Sequence, residues 1–199
     1  MDLSTRFEEA LLYAAQLHAG QTRKGTDIPY ISHLLGVTSL VLQHGGDEDQ
    51  AIAALLHDGP EEAGGRATLE EIRRRFGDRV ADIVEGCTDS WTTPKPPWRE
   101  RKEAYVAHVR MAPAEELLVS AADKLHNVRT IVSDYRVVGE SIWSRFTGGK
   151  QGSLWYYRAL AEVLQARFTS PLVEELDRVV TELESLVTQR EPADGAQDE

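Results

Sequence analysis

The stretch Ala51-Ile52-Ala53-Ala54-Leu55-Leu56-His57-Asp58-Gly59-Pro60-Glu61-Glu62 is an apolar helical run that ends in an imidazole beside a carboxylate, with two further carboxylates within four residues. Inside a helix, adjacent side chains point about 100° apart. At a helix end the two can converge on one object beside the axis. Gly59-Pro60 supplies that end, because proline disfavours the α conformation in the residue before it. A histidine and an aspartate together offer a nitrogen and an oxygen to a borderline or hard divalent metal. Taken alone, the pair reads equally well as a capped helix with a satisfied histidine, so the surrounding chain decides.

Working outward, helical spacing dominates. Thr5-x-x-Glu8 reads as a capping box opening a helix to about Ala19. Arg23, Lys24, Gly25 and Pro29 lie in a loop, and a second helix covers about Ile31 to Gln43, with His33 in its first turn. The third runs from about Glu48 to His57. Glu61 to Ala67 reads as a loop, and Thr68-x-x-Glu71 as a second capping box for a short helix closed by Gly77. A helix over Asp78–Cys87 follows. Residues 91–98 hold three prolines, Pro94, Pro96 and Pro97, and read as a loop or flap. Further helices are expected from about Arg99 to Arg110, from near Ala114 onward, from about Ser153 to Phe168 after a glycine turn at Gly148-Gly149 and Gly152, and from Pro171 to Gln189. The last carries an amphipathic stripe that packs internally or against a second subunit, so a homo-oligomer stays open. Strand-like alternation is nearly absent. The expectation is an all-α single domain of eight or more helices over residues 1–189, with a polar, disordered tail at 190–199.

Composition excludes several classes. Of 199 residues, 41% are hydrophobic and 28% charged, ordinary values for a globular chain. No apolar run approaches the roughly 20 residues that span a bilayer, and no signal peptide is visible at the N-terminus. Cys87 is the only cysteine, so an internal disulfide is impossible, and its neighbours Ile83 and Val84 favour a buried, inert thiol. A cytoplasmic location fits. The net charge is −11 with no long basic run, which argues against binding a nucleic-acid backbone. Any anionic substrate must be met by a few local cations.

A second signal lies in Ser120-Ala121-Ala122-Asp123-Lys124, an aspartate behind small residues inside an apolar helical run. Burying an unpaired carboxylate is costly, and a metal or a cation removes the cost. Lys124 is the competing partner. His33, His57-Asp58 and Asp123 reproduce the His…His-Asp…Asp order of HD-domain metal phosphohydrolases. The likeness extends to His18-Ala-Gly-Gln21-Thr-Arg23-Lys24, Pro29-Tyr30-Ile-Ser-His33, Ala-Leu-Leu-His57-Asp58-x-x-Glu61-Glu62, Phe76-Gly77, Thr88-Asp89 and Ala122-Asp123-Lys124-Leu-His-Asn127-Val-Arg129. From Phe7 to Arg129 the chain resembles the hydrolase domain of RelA/SpoT-type enzymes, in the form of a stand-alone small alarmone hydrolase without the synthetase half.

The resemblance implies one Mn²⁺ held by His33, His57, Asp58 and Asp123, and removal of the 3′-pyrophosphate from guanosine tetra- and pentaphosphate to give GDP or GTP. A metal so held lowers the pKa of a water and polarises the phosphorus. Glu61 fits the base that takes the water's proton. Glu62 stands where the family usually has aspartate. The extra methylene moves that carboxylate by about 1 Å, and misplacement on that scale costs about 10²-fold. In the family the Arg23-Lys24 pair lies at the nucleotide. Asn127 is one turn after Asp123 on the same face, within reach of a ribose or base edge. Trp155-Tyr156-Tyr157 cannot all face the core; one or two of them, with Trp155 as the substrate-binding candidate, line the pocket and stack on a base, while core packing is the competing reading. His18 and His126 read as structural hydrogen-bonding histidines, His44 and His108 as surface, and Lys124 and Arg129 as surface or interhelical pairs. Two other readings compete. One is a phosphatase acting on NADPH, on (p)ppApp or on a nucleoside monophosphate. The other is a nucleotide-binding regulator with a site weakened at Glu62.

Overall fold

The computed structural model describes residues 2–91, 94–167 and 169–190. Its α-helices are α1 (Thr5–Leu17), α2 (Ile31–Gln43), α3 (Glu48–Leu56), α4 (Gly59–Glu62), α5 (Arg66–Phe76), α6 (Asp78–Cys87), α7 (Trp98–Val109), α8 (Ala114–Val138), α9 (Gly149–Arg167) and α10 (Pro171–Arg190), with a 3₁₀ turn over Gly139–Arg145. Among the described residues the only β pairing is one isolated bridge between Thr22 and Pro29, in the loop after α1. The all-α expectation holds. The nine residues 191–199 lie outside the described residues, and with them the expected polar tail. Arg190 closes α10 and donates to the Tyr135 carbonyl at 3.1 Å.

α8 is the axis. α2, α3, α6, α9 and α10 all pack against it. Its residues 116–125 are buried without interruption, Lys124 included. Ser120, Ala121 and Ala122 keep that stretch thin, so neighbouring helices approach closely. α10 lays Leu172, Leu176, Val180, Leu183 and Val187 onto α8 and α9. Each such side chain contributes about 1.5–3 kcal/mol on burial, so this stripe is consumed inside the molecule. No described helix is long and apolar enough to cross a membrane. Cys87 is half-buried, and burial pushes its thiol well above the ordinary value.

The helix ends depart from the sequence reading in instructive ways. Ser4, not Thr5, caps α1, its hydroxyl accepting from the Arg6 amide. Two adjacent hydroxyl residues carry the same signal, and only backbone geometry chooses between them. Thr68 caps nothing: α5 already begins at Arg66 behind Gly65, and the Thr68 hydroxyl donates to the Ala63 carbonyl instead. A true capping box sits at α3, where Asp47 accepts from Gln50 N at 3.0 Å and the Gln50 side chain accepts from Asp47 N at 3.1 Å. α9 starts at Gly149 rather than Ser153. Gly148 and Gly152 serve the Trp98 indole, since a Cβ at either would stand 2.6 or 3.0 Å from that ring.

Candidate metal centre

Three helices converge at one point. The first turn of α2 supplies His33. The end of α3 supplies His57, with Asp58 following before α4. The buried middle of α8 supplies Asp123. His33 Nε2 lies 3.4 Å from Asp58 Oδ2 and 3.2 Å from Asp123 Oδ1. His57 Nε2 lies 3.2 and 3.6 Å from the same two oxygens. Ligand atoms of His33, His57 and Asp58 all fall within 4.8 Å of one another. Both imidazoles are buried, and neither Nε2 has a hydrogen-bond partner among the described residues. Buried polar atoms are nearly always partnered. Two orphaned nitrogens aimed at two carboxylates fit a divalent cation as the missing partner.

The other atoms of these groups are tied down. His57 Nδ1 donates to the Ala54 carbonyl at 2.8 Å, which leaves Nε2 as the bare nitrogen. His33 Nδ1 faces His126 Nδ1 at 2.9 Å. Asp58 Oδ2 accepts from the Tyr30 phenol at 2.7 Å. Asp123 Oδ1 accepts from Asn127 Nδ2 at 2.5 Å, and Oδ2 accepts from Lys124. Burial opposes ionisation of both aspartates. For Asp58 the His57 and His33 imidazoles outweigh it, and for Asp123 the Lys124 ammonium and both imidazoles do, so both carboxyls stand well below the usual range. Burial likewise opposes charge on His57, yet Asp58 and Asp123 pull its pKa up to about 10. This cluster, the floor of the site, draws positive charge.

Lys124 corrects its sequence assignment. It is buried, bonded to Asp123, with its ammonium 4.9 Å above the Tyr105 ring. α8 is enclosed on so many sides that the lysine turns inward and finds the carboxylate. Lys124 takes one oxygen of Asp123, and the other faces the His33 and His57 imidazoles. Arg129 is an interhelical pair, on Glu175 of α10. His108 is exposed but bonds the buried Glu116 at 2.5 Å. His18 is a buried structural histidine stacked on Tyr30 at 4.9 Å, its Nδ1 on Gln21 at 2.7 Å.

Above the floor runs a rim of ion pairs. Lys95 Nζ reaches Glu61 at 2.7 Å and Glu62 at 3.2 Å. Arg101 approaches Glu61 at 3.7 Å and bonds Asp89 at 2.5 Å, and Lys102 also bonds Asp89 at 2.5 Å. Burial, then the neighbouring Asp89 charge, raises the Glu61 carboxyl to about 7, against the pull of Lys95. Lys95 carries no readable signal of role in the sequence, and Tyr30, though part of the Pro29-Tyr30-Ile-Ser-His33 motif, draws no role from it. Lys95 is more than thirty positions from its partners. Its one oddity is being a lone cation among prolines.

On the far side, Arg23 Nη2 donates to Asn127 Oδ1 at 2.6 Å. With the Asn127–Asp123 bond this makes a continuous chain from floor to guanidinium. Lys24 is exposed beside it. Trp155 packs edge-on to Trp98 at 6.3 Å with the Arg99 guanidinium 3.4 Å from its ring centroid, apart from the four floor residues. Of the three adjacent aromatics on α9, Tyr157 is the one on which Asp123 acts. Burial raises its phenol to about 12, and Lys124, Asp123 and Arg23 all act on it.

The sequence profile of the HD domain matches residues 10–154. The chain belongs to the HD-domain family. Among its relatives is the human guanosine-3′,5′-bis(diphosphate) 3′-pyrophosphohydrolase MESH1, 35% identical over 171 residues, which are 80% of this chain and 91% of that one. The Xenopus tropicalis protein of the same name is 42% identical over 126 residues, 62% of this chain and 68% of its own. The bifunctional (p)ppGpp synthase/hydrolase SpoT of Escherichia coli K12 is 35% identical over 138 residues, and the match spans only 19% of SpoT. A solved structure, described as a metazoan ortholog of SpoT that hydrolyzes ppGpp and plays a role in starvation responses, superposes with a TM-score of 0.76. It shares 27% identity and covers 92% of this chain and 98% of its own.

Proposed function

We propose that this protein is a metal-dependent phosphohydrolase that removes the 3′-pyrophosphate of ppGpp and pppGpp, yielding GDP or GTP and pyrophosphate. The observation that carries the reading is the pair of buried, unpartnered Nε2 atoms facing Asp58 and Asp123 beneath a carboxylate raised to about 7. His33, His57, Asp58 and Asp123 would hold the ion, and we assign it as Mn²⁺, which suits a mixed nitrogen and carboxylate set. Bound there, the ion supplies a lowered water pKa and a polarised phosphoryl group.

The chain's own residues do the rest. Glu61, poised near neutrality, accepts the proton of the attacking water. The oxygen of that water joins the pyrophosphate as the bond to the 3′-oxygen breaks, and the 3′-oxygen leaves as a hydroxyl by taking up the proton that Glu61 accepted. Lys95 sits on both Glu61 and Glu62 and keeps the base aligned. Arg23 and Lys24 meet the nucleotide, the guanidinium by stacking or forked hydrogen bonds and the ammonium as a point charge. Asn127 links that wall to Asp123, and Trp155, packed against Trp98 and Arg99, is not assigned to the base.

A panel of nucleotides with Mn²⁺ and purified protein tests the reading. Pyrophosphate released from ppGpp is the expected result. Orthophosphate released from NADPH or a mononucleotide moves the substrate to that class. Tight binding without turnover makes the protein a regulator and identifies Glu62 as the departure to revert first.

A further inference from the structure

The two metal-facing imidazoles are supported differently. His57 has a backbone carbonyl behind it, which only accepts, so the proton on its Nδ1 is imposed. His33 has another imidazole behind it, that of His126 on α8, with Nδ1 to Nδ1 at 2.9 Å. The rings meet edge to face, centroids 4.8 Å apart and planes at 60°, so this is a nitrogen-to-nitrogen contact and not a stack. Only one proton fits between two nitrogens at that distance. A bare Nε2 on His33 puts it on His33 Nδ1, and His126 must accept.

Gly36 explains how the ring gets there. It lies one turn beyond His33 on the same face of α2. A Cβ at Gly36 would stand 2.2 Å from His126 Nε2 and 2.3 Å from Cδ2. The backbone of Gly36 is not in the left-handed region, so no turn requires glycine here. Glycine weakens a helix interior relative to alanine. The gap in α2 serves the incoming ring. Asp123 and His126, three residues apart on α8, thus hold His33 from two sides.

We propose that His126 is the positioning residue that accepts the His33 Nδ1–H bond and keeps His33 Nε2 bare toward Asp58 and Asp123, and that Gly36 is glycine in order to seat it. This rests on the metal reading above. Outer partners of metal-bound histidines orient the ligand, and their loss typically costs about 10–100-fold in affinity.

The test compares two variants of nearly equal shape in the full chain, His126→Leu and His126→Asn. Both remove the ring, but asparagine returns an acceptor oxygen close to the Nδ1 position. Mn²⁺ affinity is measured by calorimetry, and the metal-free melting temperature is recorded alongside. His126→Leu is expected to bind Mn²⁺ about 10–100-fold more weakly than wild type, with His126→Asn recovering most of the loss at a similar melting temperature. Equal affinities in the two variants overturn the acceptor role. Where His126→Leu fails to fold, Gly36→Ala serves. It keeps the imidazole but displaces it, and should lower Mn²⁺ affinity in the same range, whereas wild-type affinity there overturns the proposal. The metal readout is independent of the substrate. A wild-type chain that binds Mn²⁺ but leaves ppGpp intact sinks the substrate reading and spares His126. One that binds no divalent ion sinks both.

Discussion

The floor and the rim of the site are both crowded with charge, but they are settled in opposite ways. On the floor, His33, His57, Asp58 and Asp123 meet with two buried nitrogens that lack a hydrogen-bond partner among the described residues. On the rim, Glu61, Glu62 and Asp89 are each already matched by Lys95, Arg101 or Lys102. The floor leaves two imidazole nitrogens unpartnered among the described residues, as a cation site would. The rim is complete as it stands, so a polyanionic substrate must exchange with its ion pairs rather than fill an empty place. Lys95 is partly exposed, so its pairs with Glu61 and Glu62 contribute about 1 kcal/mol at most and exchange readily, whereas Arg101 and Lys102 hold Asp89 in buried pairs that are costly to break. Under the proposed function, the floor would hold the ion and the rim would admit substrate and move the proton.

Substitutions should separate the two levels. The largest effect is expected from Asp58→Ala or His33→Ala, which should lose bound metal and turnover together, as read by metal analysis beside the rate. Retention of the metal in either variant would mean that the floor is not the metal centre. Next is Glu61→Gln, which should keep its metal and lose about 10²–10⁴ of kcat, the usual worth of a general base. Full turnover there puts the base elsewhere. Tyr30→Phe removes the phenol that donates to Asp58 and leaves the ring. A loss of about tenfold in Mn²⁺ affinity, within the range for an outer partner, is expected from titration of the metal, and an unchanged affinity would detach Tyr30 from the floor.

The smallest effect concerns pH. Glu61 must be deprotonated to act, so kcat/KM should rise as pH rises through about 7. Lys95 pulls that carboxyl down, so Lys95→Met should carry the rising limb to higher pH. An exposed pair worth up to about 1 kcal/mol corresponds to roughly 0.7 of a pH unit, at about 1.4 kcal/mol per unit. A limb that stays in place, or moves to lower pH, would uncouple the rim from the base.

Much of the scaffold was legible in the sequence because its signals are short-ranged. The apolar spacing of α2, α3 and α10 is written within a turn or two; the stop read at Gly59-Pro60 is not borne out, since α3 ends at Leu56 and these two residues open α4, where proline is tolerated in the first turn. Where two neighbours carry the same chemistry, the reading slips by a residue, as at Ser4 and Thr5. The Thr68 box fails for a related reason. Thr68-x-x-Glu71 is a correct pattern, but the helix had already begun at Gly65, whose φ of +62° lets the backbone enter early. The aromatics of α9 needed the rotation of the helix about its axis. Adjacent residues differ by about 100°, and only packing decides that Trp155 goes to Trp98 and Arg99 while Tyr157 lies within the field of Asp123.

What the sequence determined alone is the all-helical architecture, the family, and the four residue types suited to a divalent ion. Periodicity and the order of motifs along the chain encode these locally. The tertiary structure decided which atoms of those residues are left bare, that Lys124 turns inward to share Asp123, that Lys95 reaches Glu61, and that the ring of His126 enters the space left by Gly36. Each joins positions far apart in the chain, or depends on a helix face that only its neighbours define. No local pattern carries that information, because the energy of such contacts arises from burial, and burial exists only once the helices have closed around α8.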